Sequence, residues 1–114
     1  DVIYEEPVEG GITRFAALFH CRDAGRVGPV RSARTTDPKI LLQLSDQPIL
    51  AFSGAHPKVT AALEDADLLQ LTETSGNVAY ERDDEWHKVE VAPPPARSAA
   101  AASRRFVTVL TVER

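Results

Sequence analysis

Ile12-Thr-Arg-Phe-Ala-Ala-Leu-Phe-His-Cys21 is the stretch on which the reading of the fold turns. Thr13, Phe15, Ala17, Phe19 and Cys21 alternate to one side, and Ile12, Arg14, Ala16, Leu18 and His20 to the other. Both sides are mostly apolar, so the segment is expected to be a central strand covered on two faces. Before it, Val2-Ile-Tyr4 favours β structure, and Pro7 with Gly10-Gly11 interrupts the chain between the two segments.

After it, Arg22 to Gly28 has the composition of a polar loop, and the Gly28-Pro29 pair excludes a long regular element there. Asp37-Pro38 has the form of an N-cap followed by proline at the first helical position. It predicts a helix with Ile40, Leu41 and Leu44 on one face, stopping near Asp46. Pro48 to Phe52 is a short strand-like run ended by Ser53-Gly54. His56-Pro57 opens a second helix, with Val59, Ala62, Leu63 and Ala66 sharing a face; Leu68 to Leu71 either extends it or forms a short strand. Ser75-Gly76-Asn77 is a turn signal, and Val78 to Arg82 can form another strand. Strands and helices in this order predict an α/β domain, with α+β as the variant, built on a mixed sheet with helices covering at least one face.

Residues 1–92 are expected to form this single domain. Pro93-Pro94-Pro95 and the Ala-rich segment after it, residues 93–105, lack any period that could pack and have the composition of a linker. Residues 106–114 begin with Phe106-Val-Thr-Val-Leu-Thr-Val112. That run either returns to the sheet as an edge strand or begins a further domain.

A chain of 114 residues with 43% hydrophobic and 26% charged residues can bury a real but modest core. Its net charge of -4 and pI near 5.3 oppose broad attraction to nucleic acid or to anionic lipid. No run approaches the roughly 18 apolar residues needed to span a bilayer, and no targeting segment is expected within these residues. Cys21 alone makes neither a disulfide nor a zinc site, and reads as a buried thiol rather than a reactive one. His20, His56 and His87 lack partners at ligand spacing, so no metal and no cofactor is expected. His56 has the better claim to a ligand because it precedes a helix start. No phosphate loop, dinucleotide motif or nucleophile elbow is present. Glu81 to Glu85 reads as a solvated acidic loop with Trp86 folded back over it; stacking of Trp86 on carbohydrate is the alternative.

Two short segments carry the chemistry. In Glu9-Gly-Gly-Ile-Thr-Arg14, an acid and a base flank two glycines that permit positive φ. The simplest reading is a tight connection with Glu9 and Arg14 as a surface ion pair. In Val27-Gly-Pro-Val-Arg-Ser-Ala-Arg34, Arg31 and Arg34 flank Ser32, with Thr36 and Asp37 close by. If this segment is irregular or opens a helical turn, both arginines lie on one side and can grip a carboxylate or phosphate. Alternatively they pair with Glu5, Glu6 or Glu9 and lock the loop.

Asp1-Val-Ile-Tyr-Glu-Glu-Pro-Val-Glu-Gly-Gly-Ile-Thr-Arg-Phe15 followed by Val27-Gly-Pro-Val-Arg-Ser-Ala-Arg34 closely resembles the YerB-like family of bacterial lipoproteins. The defining domain of that family, domain of unknown function 3048, has no assigned activity. The resemblance spans residues 1 to about 82, including Phe52-Ser-Gly-Ala55 and Ala79-Tyr-Glu-Arg82. It implies an extracytoplasmic domain of the cell envelope, tethered through a lipidated cysteine upstream and reaching the membrane only by that anchor. Members usually carry a further strand ahead of the position of Asp1, so the sheet is expected to lack one. They also carry a Pro-His-Asn motif where this chain runs Trp86-His87-Lys88.

Three functional readings follow. The first is an envelope binding module in which Arg14, Arg31, Ser32 and Arg34, with Glu9 nearby, form a polar cleft for an anionic cell-wall ligand or an envelope protein. The second is a wall-directed hydrolase or transferase, with Glu9 as general acid or base and the arginines stabilising negative charge. In the third, the same charges are a structural ion-pair network.

Overall fold

The computed structural model of the chain describes residues 2–19, 27–74, 80–83, 88–91 and 106–111. Along them run β1 (Val2–Pro7), β2 (Thr13–Phe19), β3 (Val27–Val30), α1 (Asp37–Leu41), β4 (Ile49–Ala51), α2 (Pro57–Glu64), β5 (Leu69–Leu71), β6 (Tyr80–Asp83), β7 (Lys88–Val91) and β8 (Phe106–Thr111). Strands and helices alternate through the middle of the chain and the sheet is mixed, so the fold is of the α/β type.

The two segments separated by Pro7 and the glycines form an antiparallel hairpin, with Val2 opposite Leu18 and Pro7 opposite Thr13. A 3-10 turn over Glu9–Gly11 joins them, closed by the Val8 N–H donating to the Ile12 carbonyl at 2.9 Å. Gly10 and Gly11 sit at φ +78° and +72°, with open space where a Cβ would project. Backbone conformation, and not crowding, therefore requires glycine here.

On its other edge β2 pairs antiparallel with β8 along the whole of that strand, from Arg14 opposite Thr111 to Phe19 opposite Phe106. The far edge of β8 is shared. Its first half pairs parallel with β4, which in turn pairs parallel with β5. Its second half meets β3 at Val30 opposite Leu110, and β3 continues through β7 to β6. The sheet thus forks at β8, the last strand among the described residues. Of the two alternatives for residues 106–111, the structure has them return to the sheet, not at an edge but in its interior, where β8 joins the two arms. Its Phe-Val-Thr-Val-Leu-Thr run has the β-branched and aromatic composition that an interior strand favours.

Val27–Val30 is a strand of only four residues whose pairing with β7 shifts register between Val27 and Val30, in keeping with a Gly28–Pro29 bond, here cis, that excludes a long regular element. Proline removes a backbone donor, and the ladder is interrupted there. The first helix ends at Leu41 rather than near Asp46 and continues only as turns. Leu69–Leu71 is a strand, so Leu68 to Leu71 does not extend α2. Residues 81–83 of the acidic run lie in β6, paired with β7, and are not loop. Cys21, His20, His87, Trp86, the turn at 75–77 and the segment 93–105 fall outside the described residues.

One apolar cluster anchors the helices to the sheet. Leu41 of α1 with Val59 and Leu63 of α2 packs against Leu18, Ala33, Leu50 and Phe52. Leu18 and Leu50 are both in register with position 107, one on each side of β8, so they share a face. Both helices cover that face. Ala17 and Ala51, on the opposite face, are also buried, consistent with the two-sided apolar pattern of β2.

Candidate functional site

The charged residues of the two short segments come together beside the β1–β2 turn and the segment that leaves β3. Residues 31–34 belong to no helix or strand and run beside the end of β4. The Ser53 N–H donates to the Arg31 carbonyl and the Ala33 N–H to the Gly54 carbonyl, each at 3.0 Å. No helical turn places Arg31 and Arg34; this ladder-like pairing does. Arg14, in β2, reaches across and donates from Nη1 to the Ser32 carbonyl at 2.7 Å. The contribution of Ser32 seen here is thus a backbone carbonyl held by Arg14.

Arg34 is the hub. Its Nη2 lies 3.1 Å from Glu9 Oε2, its Nη1 donates to the Ala33 carbonyl at 3.3 Å, and its backbone N–H donates to Asp37 Oδ2 at 2.6 Å. The Asp37 N–H returns a bond to the Arg34 carbonyl at 3.2 Å. Asp37 was expected to cap the helix forward. Instead its side chain reaches back to Arg34, with Thr36 at the cap position and Pro38 in the first turn. Glu9 pairs with Arg34, which corrects the Glu9–Arg14 ion pair suggested by proximity in sequence.

The electrostatics show how close these groups are. Burial and the positive charges of Arg34 and Arg31 hold the Arg14 guanidinium below its usual range, opposed by Glu9 and Asp37. Glu9 is held below the ordinary carboxylate value by a hydrogen bond from its own backbone N–H and by the Arg34 guanidinium. Three guanidinium groups therefore share one neighbourhood with one exposed carboxylate. Nε of Arg14 and Nε of Arg34 are buried with no hydrogen-bond partner among the described residues.

Behind the arginines lies a carboxyl pair. Glu6, in β1, and Asp37 are only 7% and 2% exposed. Thr36 Oγ1 donates to Glu6 Oε2 at 3.3 Å. Burial first, and then the neighbouring Glu6, push the Asp37 carboxyl up to about 7, against the hydrogen bond from the Arg34 backbone. From the sequence, Glu6 is a possible partner for an arginine and Asp37 a cap lying close to the arginines, and nothing pairs the two acids with each other. A signal was available: Glu5 and Glu6 are consecutive in a strand, so one of them must face the covered side.

His56 caps α2, its Nδ1 accepting from the Lys58 N–H at 3.3 Å. Among the described residues, no group of three or more His, Cys, Asp or Glu side chains converges as metal ligands, and no helix is long and apolar enough to cross a membrane.

Compared with known proteins, the chain matches over residues 1–103 the model of a family described as protein of unknown function (DUF3048), N-terminal domain. The match ends before β8, although that strand joins the two arms of the sheet. No curated protein and no solved structure matches the chain.

Proposed function

The chain belongs to the DUF3048 family through its N-terminal domain, and on that premise we propose that it is a binding module that holds an anionic ligand at Arg14, Arg31 and Arg34. The supporting observation is the state of the Arg34 guanidinium. It is 20% exposed and its charge is met by Glu9, whose side chain is 81% exposed on a surface turn. An exposed carboxylate contributes little as a permanent partner. A ligand oxyanion can take its place and bridge more than one guanidinium.

The setting proposed with it is the bacterial cell envelope, outside the cytoplasm, with a lipid anchor attached upstream. This rests on the likeness of the two motifs to YerB-like lipoproteins. The ligand class is then an anionic wall component, a phosphorylated glycan or an acidic peptide stem. The second reading is a wall-directed hydrolase or transferase in which Glu9, exposed and favoured in the ionised form beside Arg34, serves as general base rather than general acid.

Binding of phosphorylated glycans and wall fragments to wild type and to the Arg31→Ala/Arg34→Ala double variant tests the binding reading. Loss of binding in a variant that keeps its fold by circular dichroism is the expected result. Equal binding by the two proteins overturns it.

A further inference from the structure

Glu6 and Asp37 come from distant parts of the sequence and meet where the β1 strand passes the start of α1. Each carboxyl has one oxygen with an identified donor: Glu6 Oε2 accepts from the Thr36 hydroxyl, and Asp37 Oδ2 from the Arg34 backbone N–H. The other two oxygens, Glu6 Oε1 and Asp37 Oδ1, are buried and have no donor among the described residues. Two buried carboxylate oxygens without donors are unfavourable, and two neighbouring negative charges add to that. One proton relieves both, because it turns one carboxyl into a donor for the other and leaves the pair with a single charge.

Among the described residues, the groups facing this pair come from several segments. Arg34 faces Asp37 through its backbone N–H and its guanidinium, and Arg14 of β2 feels the charge of Asp37. Thr36 faces Glu6, and Glu9 sits on the outer side of Arg34. The arginines thus stand between a surface carboxylate, where a ligand would bind, and a buried carboxyl pair whose charge depends on a proton.

We propose that Glu6 and Asp37 share one proton behind the arginine cluster, and that the site takes up its anion together with protonation of this pair. The shared proton rests on the burial of both carboxyls, on the Thr36 bond that brings Glu6 beside Asp37, and on the two oxygens without donors; the coupling rests on the anion-binding reading. Deprotonating the pair adds a second negative charge beside arginines that an incoming anion must also satisfy, so the anion binds more weakly. By reciprocity, a bound anion makes the pair hold its proton more firmly. The position of the Asp37 carboxyl near 7 places this coupling around neutral pH.

Sulfate is the suitable probe, since it does not titrate in this range. Its binding to the intact chain is to be measured calorimetrically from pH 5.5 to 8.5, in buffers of different ionisation enthalpy. In parallel, a carbon-detected NMR titration follows the Glu6 and Asp37 carboxyls of the free protein. The expected results are proton uptake on binding, an affinity that falls about fivefold or more between pH 6 and 8, and a carboxyl midpoint near neutral. Asp37→Asn, which mimics the protonated acid, should bind without this pH dependence, and Glu6→Gln serves as the second variant. Sulfate binding that is independent of pH and buffer overturns the coupling, even if a carboxyl titrates near neutral. Carboxyls that both titrate at ordinary values overturn the shared proton. No sulfate binding at any pH, with a neutral-range midpoint, overturns the anion reading and the coupling while leaving the carboxyl pair standing.

Discussion

Arg34 Nη2 lies 3.1 Å from Glu9 Oε2, with the guanidinium four-fifths covered and the carboxylate almost fully open to solvent. The pair is therefore asymmetric. The cation is held in place by its own backbone bonds and by the neighbouring loop, whereas the anion rides on a glycine turn that only positive φ allows. A carboxylate so placed behaves as a surface counter-ion that a ligand can displace.

Replacing it should then favour the ligand. Glu9→Gln removes the competing charge and leaves the turn glycines intact, so sulfate should bind more tightly while the melting temperature changes little. Calorimetric titration with a thermal melt checks both. Weaker binding in Glu9→Gln would show that Glu9 helps to hold the ligand.

Arg14 combines a structural and an electrostatic role. Arg14→Ala takes away the donor to the Ser32 carbonyl and leaves that oxygen part-buried without it. A loss of about 1–3 kcal/mol in unfolding free energy is expected, measured by urea denaturation. Arg14→Lys should recover part of the loss, since an ammonium can reach the carbonyl but cannot reproduce the planar fork.

Stability should also depend on pH through Asp37. Its carboxyl is raised in the folded chain from an ordinary value of 3.8 to about 7, so folding favours the protonated form. The resulting contribution is complete below about pH 4, declines as pH rises through the folded value, and is gone above it. The wild type should lose on the order of 2–4 kcal/mol from this group between pH 4 and 8. Asp37→Asn should lack that component. Urea unfolding of the two proteins at matched pH isolates it, because contributions common to both cancel.

The forked sheet makes a prediction about the last strand. Deleting residues 106–114 exposes the edges of β2, β4 and β3 together, since all three pair with β8. The shortened chain should lose cooperative unfolding and aggregate through these edges, as read by circular dichroism melting and size-exclusion chromatography.

Local chemistry was enough to recognise much of this protein. The alternating apolar run of β2, the proline-opened helices, the strand before Ser53-Gly54 and the glycine turn can all be read from neighbours a few residues apart, because periodicity and backbone preference are local properties. The same reading singled out Glu9, Arg14, Arg31 and Arg34. Two things depended on contacts between distant residues. The place of β8 is set by which strands have an edge to offer, and no feature of residues 106–111 alone distinguishes an edge strand from the joint of a forked sheet. The partnership of Glu6 with Asp37 is likewise tertiary. Each residue has an ordinary local role, in a strand and at a helix start, and only burial beside the other turns two carboxylates into a pair that favours one proton.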